Sequence, residues 1–339
     1  MPEFTILAVV AAALLFDFVN GFHDTANAIA TSVLTRALSI PMAILMAAGL
    51  NFLGALVGTH VATTIGRGIV DPKAVTAEVV LAALLGAVTW NTITWYYGLP
   101  SSSSHALIGG LVGAVSAANT TILAQGGSFS YSWHYSEFNA AGLGKIGAAL
   151  VISPVAGLLL GFWLMIMLMW VFRHARPARL NAWFRRLQVL SAGFMAFSHG
   201  GNDAQKTMGI ITMALVSAGL LGSFEVPVWV KIACAATMAL GTAVGGWRII
   251  KTIGRNLLAL APIHGFAAET SGALVIQAAT HLGLPISTTH VISSSIMGVG
   301  ASRRLTAVRW KVAGQIIGAW ILTLPLCMLL GAVAYWVIA

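Results

Sequence analysis

Long runs of apolar residues dominate the chain, and charged residues interrupt them at only a few places. Residues 146–172 and 312–339 contain no charged side chain, and each run exceeds the ~20 residues that a helix needs to cross a bilayer's hydrocarbon core. Shorter uncharged runs of near-spanning length lie at 37–57, 79–97, 106–124, 208–224 and 232–247. Because a lipid-exposed backbone must satisfy its own hydrogen bonds, we predict an all-α, polytopic membrane protein with about ten or more membrane segments.

The composition supports this prediction. Hydrophobic residues make up 58% of the chain and charged residues only 8%, whereas roughly 25% is usual for charged residues in soluble domains. The lipid bilayer is therefore the expected surrounding, with no room for a sizeable soluble domain. No basic residue precedes the apolar stretch from Phe4 to Phe16, so we expect it to remain in the mature protein rather than to be a cleaved signal. Cys234 and Cys327 lie in apolar runs, where thiols behave as small hydrophobes.

The net charge of +9 comes largely from two short connections between apolar runs. One connection holds Arg173, Arg176, Arg179, Arg185 and Arg186, and the other holds Arg303, Arg304, Arg309 and Lys311. Basic loops of this kind are typical of the cytoplasmic side of a membrane protein. We therefore predict a multi-pass protein of the cytoplasmic membrane and no nucleic-acid partner.

Two segments occur twice in the same order. Residues 98–105 (Gly-Leu-Pro-Ser-Ser-Ser-Ser-His) match residues 283–290 (Gly-Leu-Pro-Ile-Ser-Thr-Thr-His), and residues 18–24 match residues 197–203. A weaker match between residues 64–66 and 252–254 falls between them in both halves. We therefore divide the chain into a first repeat (1–172), a basic cytoplasmic connection (173–186) and a second repeat (187–339).

The loops predict that the two repeats have opposite orientations. The loop at 125–145 carries only Glu137 and Lys145 as charged residues, whereas the equivalent loop in the second repeat begins with Arg303 and Arg304. Placing the basic loops in the cytoplasm leaves the loop at 125–145 and both termini outside. Inverted repeats with discontinuous helices at their interface are a recurring plan of secondary transporters.

Asp24 and Asp203 occupy equivalent positions in the two repeats, between apolar stretches. Ionisable residues at membrane depth are costly and mark functional sites; the competing interpretation is a helix N-cap. Nearby glycines, at Gly21 and at 200–201, predict a broken helix whose carbonyls coordinate a cation. Carboxylate and amide oxygens suit a hard cation such as Na⁺. The candidate cation ligands beside the two aspartates are Asn20, Asn27 and Asn202.

The two hydroxyl-rich motifs predict anion binding. Each has a proline followed by small polar residues and a long apolar run, which indicates a turn that enters a helix N-terminus. Such a terminus offers free N–H groups and a partial positive charge to a phosphate-like ligand. The candidate phosphate-binding hydroxyls are those of Ser101, Ser102, Ser103, Ser104, Ser287, Thr288 and Thr289, with Thr25 beside Asp24. Simple helix capping is the alternative role for these hydroxyls.

Glu78 and Glu269 form another candidate pair, each upstream of its hydroxyl motif. Either residue can bind a proton or cation, or can be a paired structural charge. His105 and His290 follow the hydroxyl clusters, where a structural role is favoured. The scattered histidines have no metal-ligand spacing, and adjacent serine and histidine do not indicate an enzyme. The only metal considered is therefore Na⁺ at Asp24 and Asp203.

The duplicated motifs resemble the PiT family of inorganic phosphate transporters. The family's Gly-Ala-Asn-Asp-Val-Ala-Asn-Ala motif appears at 21–28 as Gly-Phe-His-Asp-Thr-Ala-Asn-Ala and at 200–207 as Gly-Gly-Asn-Asp-Ala-Gln-Lys-Thr. The resemblance implies uptake of inorganic phosphate coupled to a cation, H⁺ or Na⁺, with no other cofactor. It also implies two re-entrant helical hairpins and a homodimer. A sulfate permease on the same fold is the alternative function.

The second motif departs from the family pattern at Lys206. Our hypothesis is that its ammonium neutralises what would otherwise be a metal-cation position, so that coupling uses fewer Na⁺ ions or uses protons. We also consider Lys206 a candidate phosphate ligand, because an ammonium attracts an anion. The competing interpretation is a structural ion pair between Lys206 and Asp203.

Overall fold

The computed structural model describes residues 2–71, 75–125, 138–245, 247–250, 252, 258 and 260–339. Residues 126–137, 253 and 254 lie outside this set, so the loop argument for orientation and the weakest repeat match stay predictions. The described residues form an all-α fold, which confirms the predicted fold class, and their only β-pairing is an isolated bridge between Val70 and Phe138.

Twelve α-helices occur in the described residues, and their order repeats. The first six are α1 (Pro2–Leu34), α2 (Ile40–Ala55), α3 (His60–Gly68), α4 (Ala77–Tyr97), α5 (Ser103–Gln125) and α6 (Ala140–Val171). The next six are α7 (Pro177–Ser217), α8 (Val228–Val244), α9 (Trp247–Ile250), α10 (Pro262–His281), α11 (Thr288–Arg303) and α12 (Trp310–Ile338). In both sets a long helix comes first, and a hairpin of two helices precedes the last helix. The order of the helices is thus similar in the two sets, and the division into repeats stays a prediction.

Four helices of the described chain, α1, α4, α6 and α12, are long and apolar enough to cross a membrane. Helices α2 and α3 meet at a bend of 68° and give a fifth span if they are counted together. By length and composition, four or five of the expected ten or more segments are accounted for in the described residues, and the remaining ones stay a prediction. Helices α8 and α11 have only 17 and 16 residues, and α7, although 41 residues long, carries charged and polar side chains along its middle.

The predicted helix breaks at the aspartate motifs are wrong, because α1 and α7 are continuous through them. The glycines there serve close packing instead. A Cβ on Gly21 would lie 2.5 Å from the carbonyl oxygen of Met238 in α8, and one on Gly200 would lie 2.2 Å from that of Asn51 in α2. Glycine is thus required so that the neighbouring helices can approach α1 and α7.

Two apolar clusters enclose a polar centre. The first contains α1 as far as Phe16 together with parts of α3, α4, α5 and α8, and the second contains α1 from Ala26 together with parts of α2, α10 and α11. Helix α1 therefore passes from one cluster to the other, and the polar stretch that includes Asp24 lies at the crossing. The candidate site is consequently buried between two packed cores.

Two pairs of helices pack across the boundary between the two halves of the sequence. Helix α5 lies along α12, and α11 lies along α6. Glycine makes both contacts close: a Cβ on Gly113 of α5 would clash with the carbonyl of Met328, and one on Gly298 of α11 would clash with that of Leu158. Each half is therefore bound to the other through backbone contacts.

Candidate functional site

The two hydroxyl motifs begin with matching turns. Gly98 and Gly283 have φ angles of 67° and 65°, the left-handed conformation in which glycine commonly ends a helix. Leu99 N–H donates to the Thr94 carbonyl at 2.8 Å, and Leu284 N–H donates to the Ala279 carbonyl at 2.8 Å. These turns reverse the chain at the ends of α4 and α10 and direct the hydroxyl residues toward the centre of the fold.

Asp24 and Asp203 meet at this centre. One carboxylate oxygen of each and a ring nitrogen of His199 all lie within 4.8 Å of one another, and all three residues are buried. Helices α1 and α7 pack together, which brings motifs 179 residues apart in the chain to one place. The aspartates are not helix N-caps, since both lie inside long helices.

Asp24 accepts hydrogen bonds from both halves of the protein. Its Oδ1 is 2.7 Å from His23 Nδ1 and accepts from the Thr289 hydroxyl at 3.1 Å, and its Oδ2 accepts from the Ser103 hydroxyl at 3.3 Å. Thr289 in turn accepts from Asn27 Nδ2 at 2.9 Å. Hydroxyls of both motifs thus reach the first aspartate.

Asp203 is paired with Lys206. The ammonium Nζ lies 2.7 Å from Asp203 Oδ1, and both side chains are 0% exposed. Asp203 Oδ2 accepts from the Thr288 hydroxyl at 3.2 Å and lies 3.5 Å from His199 Nε2. Lys206 is therefore a buried counter-ion of Asp203 in this structure, and its ammonium already neutralises one of the two carboxylates.

Two of the candidate hydroxyls cap helices. Ser102 Oγ accepts from the N–H of His105, and Ser287 Oγ accepts from the N–H of His290, each at 3.2 Å. They occupy equivalent positions in the two repeats, so one hydroxyl in each motif has the capping role that sequence analysis considered as the alternative.

The starts of α5 and α11 meet. Ser104 Oγ donates to the Ile286 carbonyl at 2.7 Å, and the rings of His105 and His290 are 4.7 Å apart. The His290 ring also stacks on Trp320 at 3.9 Å, a packing role consistent with a structural histidine. Two helix N-termini, each with partial positive charge, are therefore adjacent to the aspartates.

Ser101 and Thr25 differ in how their hydroxyls are used. Ser101 Oγ lies 2.8 Å from the Thr94 hydroxyl and 3.4 Å from His23 Nε2, so it belongs to the network that ends at Asp24. Thr25 Oγ1 donates at 2.6 Å to the carbonyl of Gly21, within its own helix. The structure therefore gives no support to Thr25 as a phosphate donor.

The three candidate asparagines present buried acceptor oxygens. The Nδ2 groups of Asn27 and Asn202 donate at 2.9 Å to Thr289 and Thr280. Among the described residues, the Oδ1 atoms of Asn20, Asn27 and Asn202 have no hydrogen-bond partner. Buried amide oxygens of this kind are suitable ligands for a hard cation.

Glu269 lies in a separate polar network. Its carboxylate accepts hydrogen bonds from the hydroxyls of Thr31 and Ser191 and, at 3.1 Å, from Gln188 Nε2. Thr31 is seven residues after Asp24 on α1, which is about 10 Å along the helix. Glu269 is thus buried near the aspartates and outside their network.

Glu78 and Glu269 do not occupy equivalent positions in the structure. It lies in the first turn of α4 and is half-buried, whereas Thr94, which contacts His23, is near the other end of that helix. Sixteen residues of helix separate them, about 24 Å. Glu78 therefore lies away from the two aspartates, and cation binding by Glu78 stays a prediction.

Sequence reasoning missed Asp17 and His199. Asp17 is 0% exposed and accepts from the Thr207 hydroxyl at 2.9 Å. It precedes Asp24 by seven residues, a spacing that places both on one helix face, and this signal was available in the sequence. His199 Nδ1 lies 3.1 Å from Asn51 Oδ1, and no sequence signal indicated a partner in α2.

The charges explain what this site can bind. Two carboxylates within 4.8 Å repel by about 3 kcal/mol at an effective dielectric constant of 20. Lys206 offsets the charge of Asp203, and a bound cation beside Asp24 would relieve the rest. That cation would also favour an oxyanion at the two helix starts, since the oxyanion would otherwise lie beside the uncompensated charge of Asp24. The geometry therefore suits joint binding of a cation and an oxyanion.

Comparisons with known proteins agree with this chemistry. Residues 20–331 match the model of the phosphate transporter family. A probable low-affinity inorganic phosphate transporter of Rhizobium meliloti is 50% identical over 97% of this chain and 95% of its own length. One of the same description from Bacillus subtilis is 49% identical over 98% and 97%. A solved structure described as the sodium-dependent phosphate transporter matches with a TM-score of 0.87 and 26% identity, covering 98% of each chain. These relatives are transporters and not enzymes, and the chain belongs to the phosphate transporter family.

Proposed function

We propose that this protein is a secondary active transporter that carries inorganic phosphate together with a cation by alternating access. The observation that supports this most directly is the buried pair of Asp24 and Asp203 beside two helix starts from opposite halves. Charge neutralisation links the two ligands, because a dianion in a low-dielectric site needs a nearby cation.

The phosphate oxygens would be held by the helix starts and by hydroxyls that now bond the aspartates. A hydroxyl rotates freely, so Ser103 and Thr289 can donate either to a carboxylate or to an arriving oxyanion. Hydrogen phosphate also carries a proton that it can donate to a carboxylate, whereas sulfate does not at neutral pH. The presence of Asp24 among the donors therefore favours phosphate over sulfate.

Asp24 and the amide oxygens form the cation side of the proposal. Asn20, Asn27 and Asn202 offer free oxygens, and one solved relative is described as sodium-dependent. The Lys206 ammonium already balances the charge of Asp203, so we propose that coupling in this protein uses fewer Na⁺ ions or uses protons. Glu269, buried about 10 Å away along α1, is a secondary candidate for proton or cation binding.

The proposed setting is the cytoplasmic membrane, with the two repeats inverted and both termini outside the cytoplasm. Four to five helices of the described chain meet the length and hydropathy needed for spanning. The basic connection at 173–186 supports its cytoplasmic placement. A homodimer, implied by the family resemblance, completes the proposal.

Uptake into proteoliposomes tests this function. Radiolabelled phosphate is supplied while Na⁺ and pH gradients are imposed independently, with sulfate as competitor. We expect phosphate accumulation driven by one of the two gradients, only weak inhibition by sulfate, and no accumulation by Asp24→Asn. Accumulation of sulfate in preference to phosphate would refute the substrate assignment. Equilibration of phosphate with no response to either gradient would refute coupling.

A further inference from the structure

A cavity of about 440 Å³ lies where α6 ends and α7 begins, away from the aspartates. Its apolar floor includes Phe172 and Phe184, whose rings pack edge to face at 5.4 Å. Its rim is basic and includes His174, Arg176 and Arg179. The cavity therefore combines an aromatic base with a positively charged entrance.

The rim arginines are available for an anion. Arg176 and Arg179 are exposed, and no acidic side chain lines the cavity. Neither arginine takes part in an ion pair within the described ranges of the chain. Guanidinium groups bind phosphate esters through paired hydrogen bonds, so the charge of the rim complements a phosphate group.

The cavity continues into an apolar, outward-facing surface. Trp183 and Leu187 line it and are exposed, and Leu190 extends the same side of α7 by about one turn. On α6, Trp170 is exposed on the last turn, and the guanidinium of Arg173 lies 5.5 Å from its ring. Tryptophan and arginine in this arrangement are typical of a membrane–water interface. A ligand in the cavity would thus have its polar part at the rim and its apolar part in the bilayer.

We propose that this cavity binds the headgroup of an anionic phospholipid such as phosphatidylglycerol, with its acyl chains along α6 and α7. The phosphodiester lies between Arg176 and Arg179, and Trp183 packs against the glycerol and upper acyl region. A second copy of the chain fits less well, since a two-fold interface places the same patch on both sides and would bring the arginines together. The site needs only the membrane setting from the proposed function and no part of the transport mechanism.

Lipid binding to the purified, detergent-solubilised protein tests the proposal. Native mass spectrometry counts phosphatidylglycerol and phosphatidylcholine bound to the folded protein, so a loss of folding is separated from a loss of binding. Near-surface arginines contribute ~1 kcal/mol each toward anionic lipid, so we expect Arg176→Gln/Arg179→Gln to weaken phosphatidylglycerol binding by roughly 30-fold. The matched control is Arg185→Gln/Arg186→Gln, which removes the same charge from the same connection outside the cavity.

The outcomes separate the alternatives. Selective phosphatidylglycerol binding that survives in the control and weakens in the cavity variant, and also in Trp183→Ala, supports the site. Equal binding of both lipids, or equal loss in the two double variants, would overturn it. Inorganic phosphate that displaces phosphatidylglycerol from the cavity would overturn the lipid assignment in favour of a free-phosphate site. Phosphate uptake by the cavity variant is expected to persist, so a failure here leaves the transport proposal separately testable.

Discussion

Replacing Lys206 by asparagine tests how this protein balances the charge of its central aspartates. The Lys206 ammonium lies 2.7 Å from Asp203, and both side chains are 0% exposed. Without it, the polar contacts of Asp203 within the described part of the chain are the Thr288 hydroxyl at 3.2 Å and His199 at 3.5 Å. We expect Na⁺ from solution to take the place of the ammonium in Lys206→Asn.

The expected loss of stability in Lys206→Asn follows from the burial of the Asp203–Lys206 ion pair. Removing one partner of a buried ion pair costs about 3–5 kcal/mol, because the remaining charge is uncompensated. A cation that binds only the folded state adds about 2.7 kcal/mol of stability at a concentration 100 times its Kd. Sodium should therefore restore a large part of the stability that Lys206→Asn loses, and should stabilise the unaltered protein less.

Thermal unfolding in detergent measures this effect, with NaCl compared with N-methylglucamine chloride at equal ionic strength. In proteoliposomes, we expect Lys206→Asn to carry more Na⁺ per phosphate than the unaltered protein. The control is Asp203→Asn/Lys206→Asn, which lacks the carboxylate and should show no added sodium response. If Lys206→Asn matches the unaltered protein in both sodium response and stoichiometry, the charge-replacement reasoning is wrong.

Three further changes test other parts of the structure. Asp24→Asn should reduce phosphate uptake by more than about tenfold, which is 1.4 kcal/mol, while its gel-filtration profile stays unchanged; normal uptake would exclude Asp24 from the site. Glu269→Gln places an amide donor among three donors and should lower stability by about 1–3 kcal/mol, measured by thermal unfolding; an unchanged midpoint would contradict the network. Gly200→Ala should reduce the yield of folded protein on fluorescence-detected gel filtration, since overpacking costs ~1–3 kcal/mol, whereas Gly318→Ala, with no atom within 4 Å of its Cβ, should not; equal yields would refute the packing role.

Much of the site could be predicted because the informative residues occur twice. Duplication identified Asp24 and Asp203, and the structure brings them together. The helix starts could also be predicted, because a glycine, a proline and hydroxyl residues specify a helix end, a turn and a new helix in local sequence alone. Local chemistry was therefore a sufficient guide to these elements.

Features that depend on helix packing could not be predicted in this way. The glycines at 21 and 200 were expected to break helices, but they permit close contact with α8 and α2, and sequence does not say which neighbour approaches. The contact between His199 and Asn51 has the same origin. Glu78 and Glu269 are 191 residues apart, whereas the hydroxyl motifs are 185 apart, and this mismatch already argued against their equivalence.

The packing of helices from one half against helices from the other limits which parts of the protein can move as units. Backbone contacts at Gly113 and Gly298 join α5 to α12 and α11 to α6, and such close-packed pairs resist separation. If residues 1–172 moved as one block against residues 187–339, α5 would have to slide along α12, and α11 along α6. We therefore expect each of these helix pairs to move as a unit in the proposed transport cycle, so a cross-link between α5 and α12 or between α11 and α6 should leave turnover intact.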